Sequence, residues 1–201
     1  MSLQYLKIGF LASGSASSAR AIVAAMQAGD LAGEARLMVS NNRSAPALEF
    51  AQTAGFAAVC IPTKDDAEGA DARIADAMAE HGVELIVMSG YLRHLGPKTL
   101  ARYSGRILNI HPGPLPEFGG EGMYGRRVHE AVLAAGVAQS GIVIHLVDEE
   151  YDHGAPVARR VVPIAAGDTA EDLEARVRAI EPGFFVETLQ KLSRGELTLP
   201  A

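Results

Sequence analysis

Cysteine occurs once in the 201 residues, at Cys60 in the apolar run AAVCIP. One thiol excludes a disulfide within the chain, so Cys60 reads as a small core residue in a reducing cytoplasm. Long apolar runs are also missing. The N-terminal MSLQYLKIGFLASGS has too few apolar residues before its glycine turn for a signal segment or a membrane span, which predicts a soluble chain with no membrane partner. Basic residues are in deficit, with 18 Lys and Arg against 24 Asp and Glu and a formal net charge of −6. Nonspecific nucleic-acid binding needs clustered cations to replace phosphate counterions, and Arg126-Arg127 and Arg159-Arg160 are only pairs. Small anions stay within reach, because a few backbone amides and one or two arginines bind a phosphate whatever the global charge. The three spaced glycines of a dinucleotide fingerprint and the lysine of a P-loop are absent. Repeats, low-complexity tracts and linkers are absent too.

What is present is an alternation of apolar runs with helical segments. A chain of this length buries about 70% of the surface that it exposes when unfolded, and one domain over 1–201 is expected, with a phosphate-loop half at about 1–100 and a catalytic half at about 101–201. Strands are predicted at Tyr5 to Leu11, Glu34 to Val39, Ala57 to Ile61, Glu84 to Met88 and from Ile107. Helices are predicted between them at Ser17 to Ala28, Ala45 to Thr53, Asp71 to Glu80 and Pro97 to Tyr103. This rhythm predicts four or five parallel strands in a doubly wound α/β sheet. The pattern then changes. A helix at Met123 to Ala135 precedes two runs, Gly141 to Val147 and Pro156 to Ile164, whose short polar connection DEEYDHGA fits an antiparallel pair. A last helix runs from Thr169 to Leu192, where Pro182-Gly183 is expected to kink or divide it.

Three stretches carry chemical content. In RILNIHPGPLPEFGGEG, Asn109 and His111 are two residues apart, so a strand from Ile107 to Ile110 puts both on one face at its carboxyl end, where open α/β sheets keep their sites. Pro112, Pro114 and Pro116 restrict the loop that follows. The loop Ser13-Gly14-Ser15-Ala16-Ser17-Ser18 links the first strand to the first helix, where backbone N–H groups favour an anion; a tight turn with serine N-caps accounts for it equally well. In HLVDEEYDHGAP, Asp148 and Asp152 lie four apart, flanked by His145 and His153. Acids clustered in a turn are usually solvated, and the four side chains match no compact zinc spacing, so no metal is expected.

Taken together, NIHPGPLP, HLVDEEYDHG and the AIE of the last helix resemble the folate-dependent formyltransferase family over roughly Lys7 to Leu189. The resemblance implies a Rossmann-like formyltransferase fold and transfer of a formyl group from 10-formyltetrahydrofolate, as cosubstrate, to the amine of glycinamide ribonucleotide in purine synthesis. It implies a catalytic trio of Asn109, His111 and Asp152. The folate would sit near Leu92, Arg93, His94 and Leu95 and against Val147 and Asp148. The acceptor and its phosphate would sit near Gly14, Ala16, Ser17, Ser18 and Glu181, and Leu115-Pro116 would be a cis bond. The family's phosphate loop usually has a second glycine followed by Ser-Asn and a bulky apolar residue, whereas this chain has Ala16, Ser17, Ser18 and Ala19. FGGEGMYGRRVH, His153 and Pro182 are further departures. Two other readings follow: an amino sugar nucleotide as acceptor, or a noncatalytic folate- or nucleotide-binding module, which would not need Asn109, His111 and Asp152 together. The length of the chain weighs against the family's tRNA-formylating and folate-hydrolysing members, which carry added domains.

Overall fold

The first apolar run becomes an interior strand of a sheet. A computed structural model describes residues 4–199. In chain order its elements are β1 Leu6–Ala12, α1 Ser17–Gln27, β2 Gly33–Ser40, α2 Pro46–Thr53, β3 Ala57–Cys60, α3 Ala67–Glu80, β4 Leu85–Met88, α4 Pro97–Arg102, β5 Ile107–His111, α5 Arg126–Ala134, β6 Gln139–Leu146, β7 Pro156–Pro163 and α6 Ala170–Ser193. One seven-stranded sheet has the order β3-β2-β1-β4-β5-β6-β7. The first five strands are parallel, while β6 runs antiparallel to β5 and β7 antiparallel to β6.

Parallel strands covered on both faces read as unbroken apolar runs, and β1 is the clearest case. Ile8, Phe10 and Ala12 point into a cluster built with α1 and α6, and Leu11 points the other way into a cluster with α3 and Tyr103; all four β1 side chains are fully buried. The order of connection reverses between β1 and β4, and the crevice at the carboxyl ends of strands on either side of such a switch point is where α/β sheets bind ligands. The last helix closes the same core at long range: Gln4 N–H donates to the Ser193 carbonyl at 2.7 Å, and Ser193 Oγ donates back to the Gln4 carbonyl at 2.9 Å.

Local chemistry shifts several predicted boundaries. Helix α3 begins at Ala67, not Asp71, because Asp66 caps it by accepting from Gly69 N–H at 2.8 Å. Asp71 therefore lies inside α3. There its buried carboxylate accepts from the backbone of Lys98 at 2.8 Å and Thr99 at 3.0 Å, at the start of α4. Helix α5 begins at Arg126, not Met123, because Gly122 and Gly125 hold φ of 83° and 56°, outside the helical region.

Pro182 does not divide the last helix. Helix α6 is continuous for 24 residues, opened by a capping box in which Thr169 and Asp172 satisfy each other's backbone. Leu173 and Val177 before the proline and Phe184, Phe185 and Leu189 after it lie in one apolar cluster, and this burial on both sides offsets the hydrogen bond that proline cannot donate. Cys60 is half-buried on β3, which pairs only with β2, and so is not the core residue that its neighbours suggest. Among the described residues no helix is long and apolar enough to cross a membrane.

Candidate active site

Strand alternation places Asn109 and His111 on one face of β5, and the antiparallel register sets His145 of β6 directly opposite Asn109. Asn109 Nδ2 lies 3.2 Å from His145 Nε2. Asp152 reaches back from the turn after β6 and joins the two histidines. Its Oδ2 is 3.2 Å from His111 Nδ1, its Oδ1 is 3.4 Å from His145 Nε2, and Gly120 N–H donates to Oδ2 at 3.2 Å. The outer nitrogens are held as well, His111 Nε2 at 2.8 Å from the Phe118 carbonyl and His145 Nδ1 at 2.7 Å from the Leu146 carbonyl. Both nitrogens of His111 thus face oxygen acceptors, an arrangement that an imidazolium satisfies and a neutral ring does not. Burial alone pushes the Asp152 carboxyl up, yet the hydrogen bonds from His111 and His145, with the Gly120 amide, hold it well below the ordinary carboxylate range.

His145 Nε2 faces two partners of opposite demand. A lone pair there accepts from the Asn109 amide, whereas a proton there donates to Asp152. The orientation of the Asn109 amide and the proton on His145 are therefore coupled.

The backbone that presents these groups is tightly specified. Asp152 sits at φ 56°, which aspartate tolerates better than most residues. A Cβ on Gly119 would come within 2.3 Å of Leu115 Cδ2 and 3.0 Å of Asp152 Cβ, so the proline loop and the acidic turn touch at a residue without a side chain. The Leu115-Pro116 bond is cis, and Arg159 of β7 donates to the Leu115 carbonyl at 2.8 Å.

A cleft of about 40 Å³ leads to Asn109, His145 and Asp152 between apolar walls of Met88, Leu95 and Val147, with Arg93, His94, Asp148 and Tyr151 also lining it. Five of the six side chains expected around the folate are therefore in its wall. Leu92 is not: it is 67% exposed, and its backbone N–H donates to Ser13 Oγ at 2.9 Å. His145 and Asp152 meet in the interior while Asp148 and His153 pair with each other at the surface, so the four do not form one cluster.

In the small-residue loop the N-cap of α1 is Ala16, in the left-handed region at φ 56°, and no side chain caps the helix. The serine caps considered for this loop are thus not formed. Ser13 Oγ donates instead to Asn41 Oδ1 at 2.6 Å, and the Ala19 amide takes Ser89 Oγ at 3.1 Å.

Glu181 lies half-buried on α6, and burial, eased by the charges of Arg178 and His111, pushes its carboxyl up to about 7. An unfolded glutamate titrates near 4.3. Between those values the native state keeps a proton that the unfolded chain has released, so this group lowers stability as pH rises from about 4 to about 7, and the loss is complete above that. Glu181→Gln is therefore expected to gain stability over the native chain at pH 8, by a few kcal/mol at most, and to gain little at pH 4. Urea titrations at the two pH values check this; an equal gain at both would contradict the assignment.

His145 is the residue that the sequence did not single out as part of the trio's network. Its parity along β6 was readable, but the register that sets it opposite Asn109 was not.

A family model described as "Formyl transferase" matches residues 6–189. A curated relative from Vigna unguiculata, "Phosphoribosylglycinamide formyltransferase, chloroplastic", is 37% identical over 188 residues, covering 92% of this chain, which spans only 60% of that relative's length. The "Phosphoribosylglycinamide formyltransferase" of Haemophilus influenzae is 33% identical over 195 residues, with 96% of this chain and 90% of that one covered. Among solved structures, glycinamide ribonucleotide transformylase 1 from Symbiobacterium toebii superposes with a TM-score of 0.88 at 31% identity, covering 98% of this chain and 92% of that one.

Proposed function

Since the chain belongs to the formyl transferase family, we propose that it moves a formyl group from 10-formyltetrahydrofolate to the amine of glycinamide ribonucleotide, a step of purine synthesis. The observation that carries this reading is the meeting of Asn109 and Asp152 at the inner end of one cleft, with the buried His111 paired to Asp152. The donor's chemistry matches that cleft: its apolar walls suit a flat heteroaromatic ring, and its polar inner end suits a reacting carbonyl.

When a neutral amine attacks the formyl carbon, negative charge grows on the oxygen and positive charge on the nitrogen. Asn109, at the inner end of the cleft, can present an amide hydrogen to that oxygen. His111, placed between two oxygen acceptors, brings a positive charge beside it when protonated. To protonate the departing folate nitrogen, its Nε2–H must first leave the Phe118 carbonyl. Asp152 is too weak a base to store the amine's proton. Its part is to hold both imidazoles in register and to orient a water that passes the amine's proton to His111, which has given its own to the folate nitrogen. On the acceptor side, the start of α1 at Ser17 and Ser18, with Gly14 and Ala16 before it, offers backbone N–H groups to a phosphate, and Glu181, near enough to His111 to feel its charge, is assigned to the amine. The reading keeps both substrates, and the enzyme, in a reducing cytoplasm.

The test is formyl transfer from 10-formyltetrahydrofolate to glycinamide ribonucleotide, followed by mass spectrometry of the acceptor and absorbance of the released folate. Amino sugar nucleotides and a reaction without acceptor run alongside. Acceptor-dependent formylation of glycinamide ribonucleotide is expected, and Asn109→Ala should lower kcat about 10²–10³-fold with little change in KM. Formylation of an amino sugar nucleotide alone would move the acceptor assignment, an outcome for which Ala16 and Ser18 would be responsible. Folate binding without transfer to any amine would leave a binding module.

A further inference from the structure

Of the two arginine pairs in the sequence, Arg159-Arg160 divides between the faces of the sheet. Strand alternation along β7 sends Arg160 toward α6, where it pairs with Glu187 and lies over the Phe184 ring at 4.6 Å. Arg159 goes to the other face. The register sets His111 of β5 opposite Val143 of β6, and Val143 opposite Arg159 of β7. Directly opposed residues share a face, so the three form one row, with Arg159 two strand spacings, about 10 Å, from His111. From that position its Nη1 donates to the Leu115 carbonyl at 2.8 Å.

Leu115 lies in a loop short of donors. Pro112, Pro114 and Pro116 have no N–H, and the turn is closed by Phe118 N–H on the Pro114 carbonyl at 3.0 Å and Gly119 N–H on the Pro116 carbonyl at 3.3 Å. Leu115, buried between them, takes the donor for its own carbonyl from β7. The same loop then holds both members of the His111–Asp152 pair. The Phe118 carbonyl is 2.8 Å from His111 Nε2, and the Gly120 amide donates to Asp152 Oδ2 at 3.2 Å. A shift of the loop therefore moves the ring and the carboxylate together, and a displacement of about 1 Å in such a site costs about 10²-fold in rate.

We propose that Arg159 is a positioning residue for the reaction: by holding the Leu115 carbonyl it fixes the loop that places His111 and Asp152, without touching either substrate. The proposal rests on the formyl-transfer reading for the reaction that is served, and on the hydrogen-bond chain alone for the placement of His111. An arginine suits this position. A charged donor holds a carbonyl about twice as strongly as a neutral one, and the guanidinium keeps its charge at every working pH.

Arg159→Met, which keeps most of the side chain's length and removes its donors, is expected to lower kcat about 10–100-fold while both KM values change less than about twofold. Arg159→Lys, which restores one charged donor, should return kcat to within about fivefold of native. Arg160→Met, on the same strand but the opposite face, should keep the native kcat. Equal losses in the two methionine variants, or a raised KM with native kcat in Arg159→Met, would overturn the proposal. Failure of Arg159→Met to fold while Arg160→Met folds would overturn it too, leaving a brace for the fold alone. Imidazole nitrogen-15 spectra of the ligand-free proteins read the placement separately. In Arg159→Met the His111 Nε2 signal is expected to shift as its contact with Phe118 changes, whereas the His145 Nδ1 signal, whose acceptor lies in β6, stays. An unmoved His111 signal alongside a lost rate would overturn the route through the loop. A native protein that transfers formyl to no amine would remove the role in catalysis together with the formyl-transfer reading, and the spectra would then decide the placement of His111 alone.

Discussion

Asp152→Asn is expected to lower kcat by about 10³–10⁴-fold, the scale seen when a carboxylate that orients a catalytic imidazole is replaced by its amide. One carboxylate here serves three donors: His111, His145 and the Gly120 amide. An amide can accept at one oxygen only, and its NH₂ would face one of the two imidazoles. That ring must rotate or lose its proton, and the coupling of His145 to Asn109 carries the disturbance to the proposed oxyanion donor. KM should change far less than kcat, because none of these contacts is assigned to ground-state binding.

The pH dependence follows from the lowered pKa of Asp152. Its contribution to stability is fully present above the unfolded value of about 3.9 and is lost as pH falls through the lower folded value. Asp152 stays ionised throughout the range from pH 5 to pH 9, so a fall in native activity within that range belongs to other groups. The difference in stability between the native protein and Asp152→Asn should be constant across it and shrink below about pH 4. Steady-state kinetics and thermal melts at three pH values measure both effects. A variant with native kcat and a raised KM would remove Asp152 from the proposed chemistry.

Gly154→Ala has the largest expected effect on folding. A Cβ there would lie 1.9 Å from the Leu146 carbonyl oxygen and 2.7 Å from its carbon, and both atoms are backbone of β6. Neither can move without breaking the pairing of β6 with β5, which aligns His145 with Asn109. A loss of more than about 4 kcal/mol is expected, or failure to accumulate folded protein at 37 °C. Gly183→Ala is the control. Its Cβ meets nothing within 4 Å on an exposed stretch of α6, so the same change should be neutral or stabilising by about 1 kcal/mol. Denaturant titrations distinguish the two; comparable losses would mean that the turn is more plastic than its contacts imply.

The parts of this fold written in local periodicity were legible before the structure. The apolar runs of β1, β4 and β5 show parallel strands covered on both faces, and the two-residue spacing of Asn109 and His111 puts them on one side of β5. What depends on partners distant in sequence was not legible. The pairing of His145 with Asn109 is a matter of strand register, which no spacing within β6 reveals. Pro182 signals a break in isolation, and only the core packed on both sides of it explains the continuous helix. Leu92 shares a tetrapeptide with three cleft residues but turns outward, because its backbone is tied to Ser13. In each case the deciding contact lies outside the window that a propensity or motif can read.

The tie between Gln4 and Ser193 also bears on how the chain is made. One face of β1, carrying Ile8 and Phe10, is covered by α6, whose residues are synthesised some 180 positions later. During synthesis that face can pack against α1 early, but the part that α6 covers waits until residues 170–193 have been made. The strands β1 to β5 can pair as they emerge, but their sheet waits with an apolar surface open to water, and closing so long a loop is slow. The native core is therefore completed only once α6 has been made, and part of the sheet's apolar face stays open to water until then.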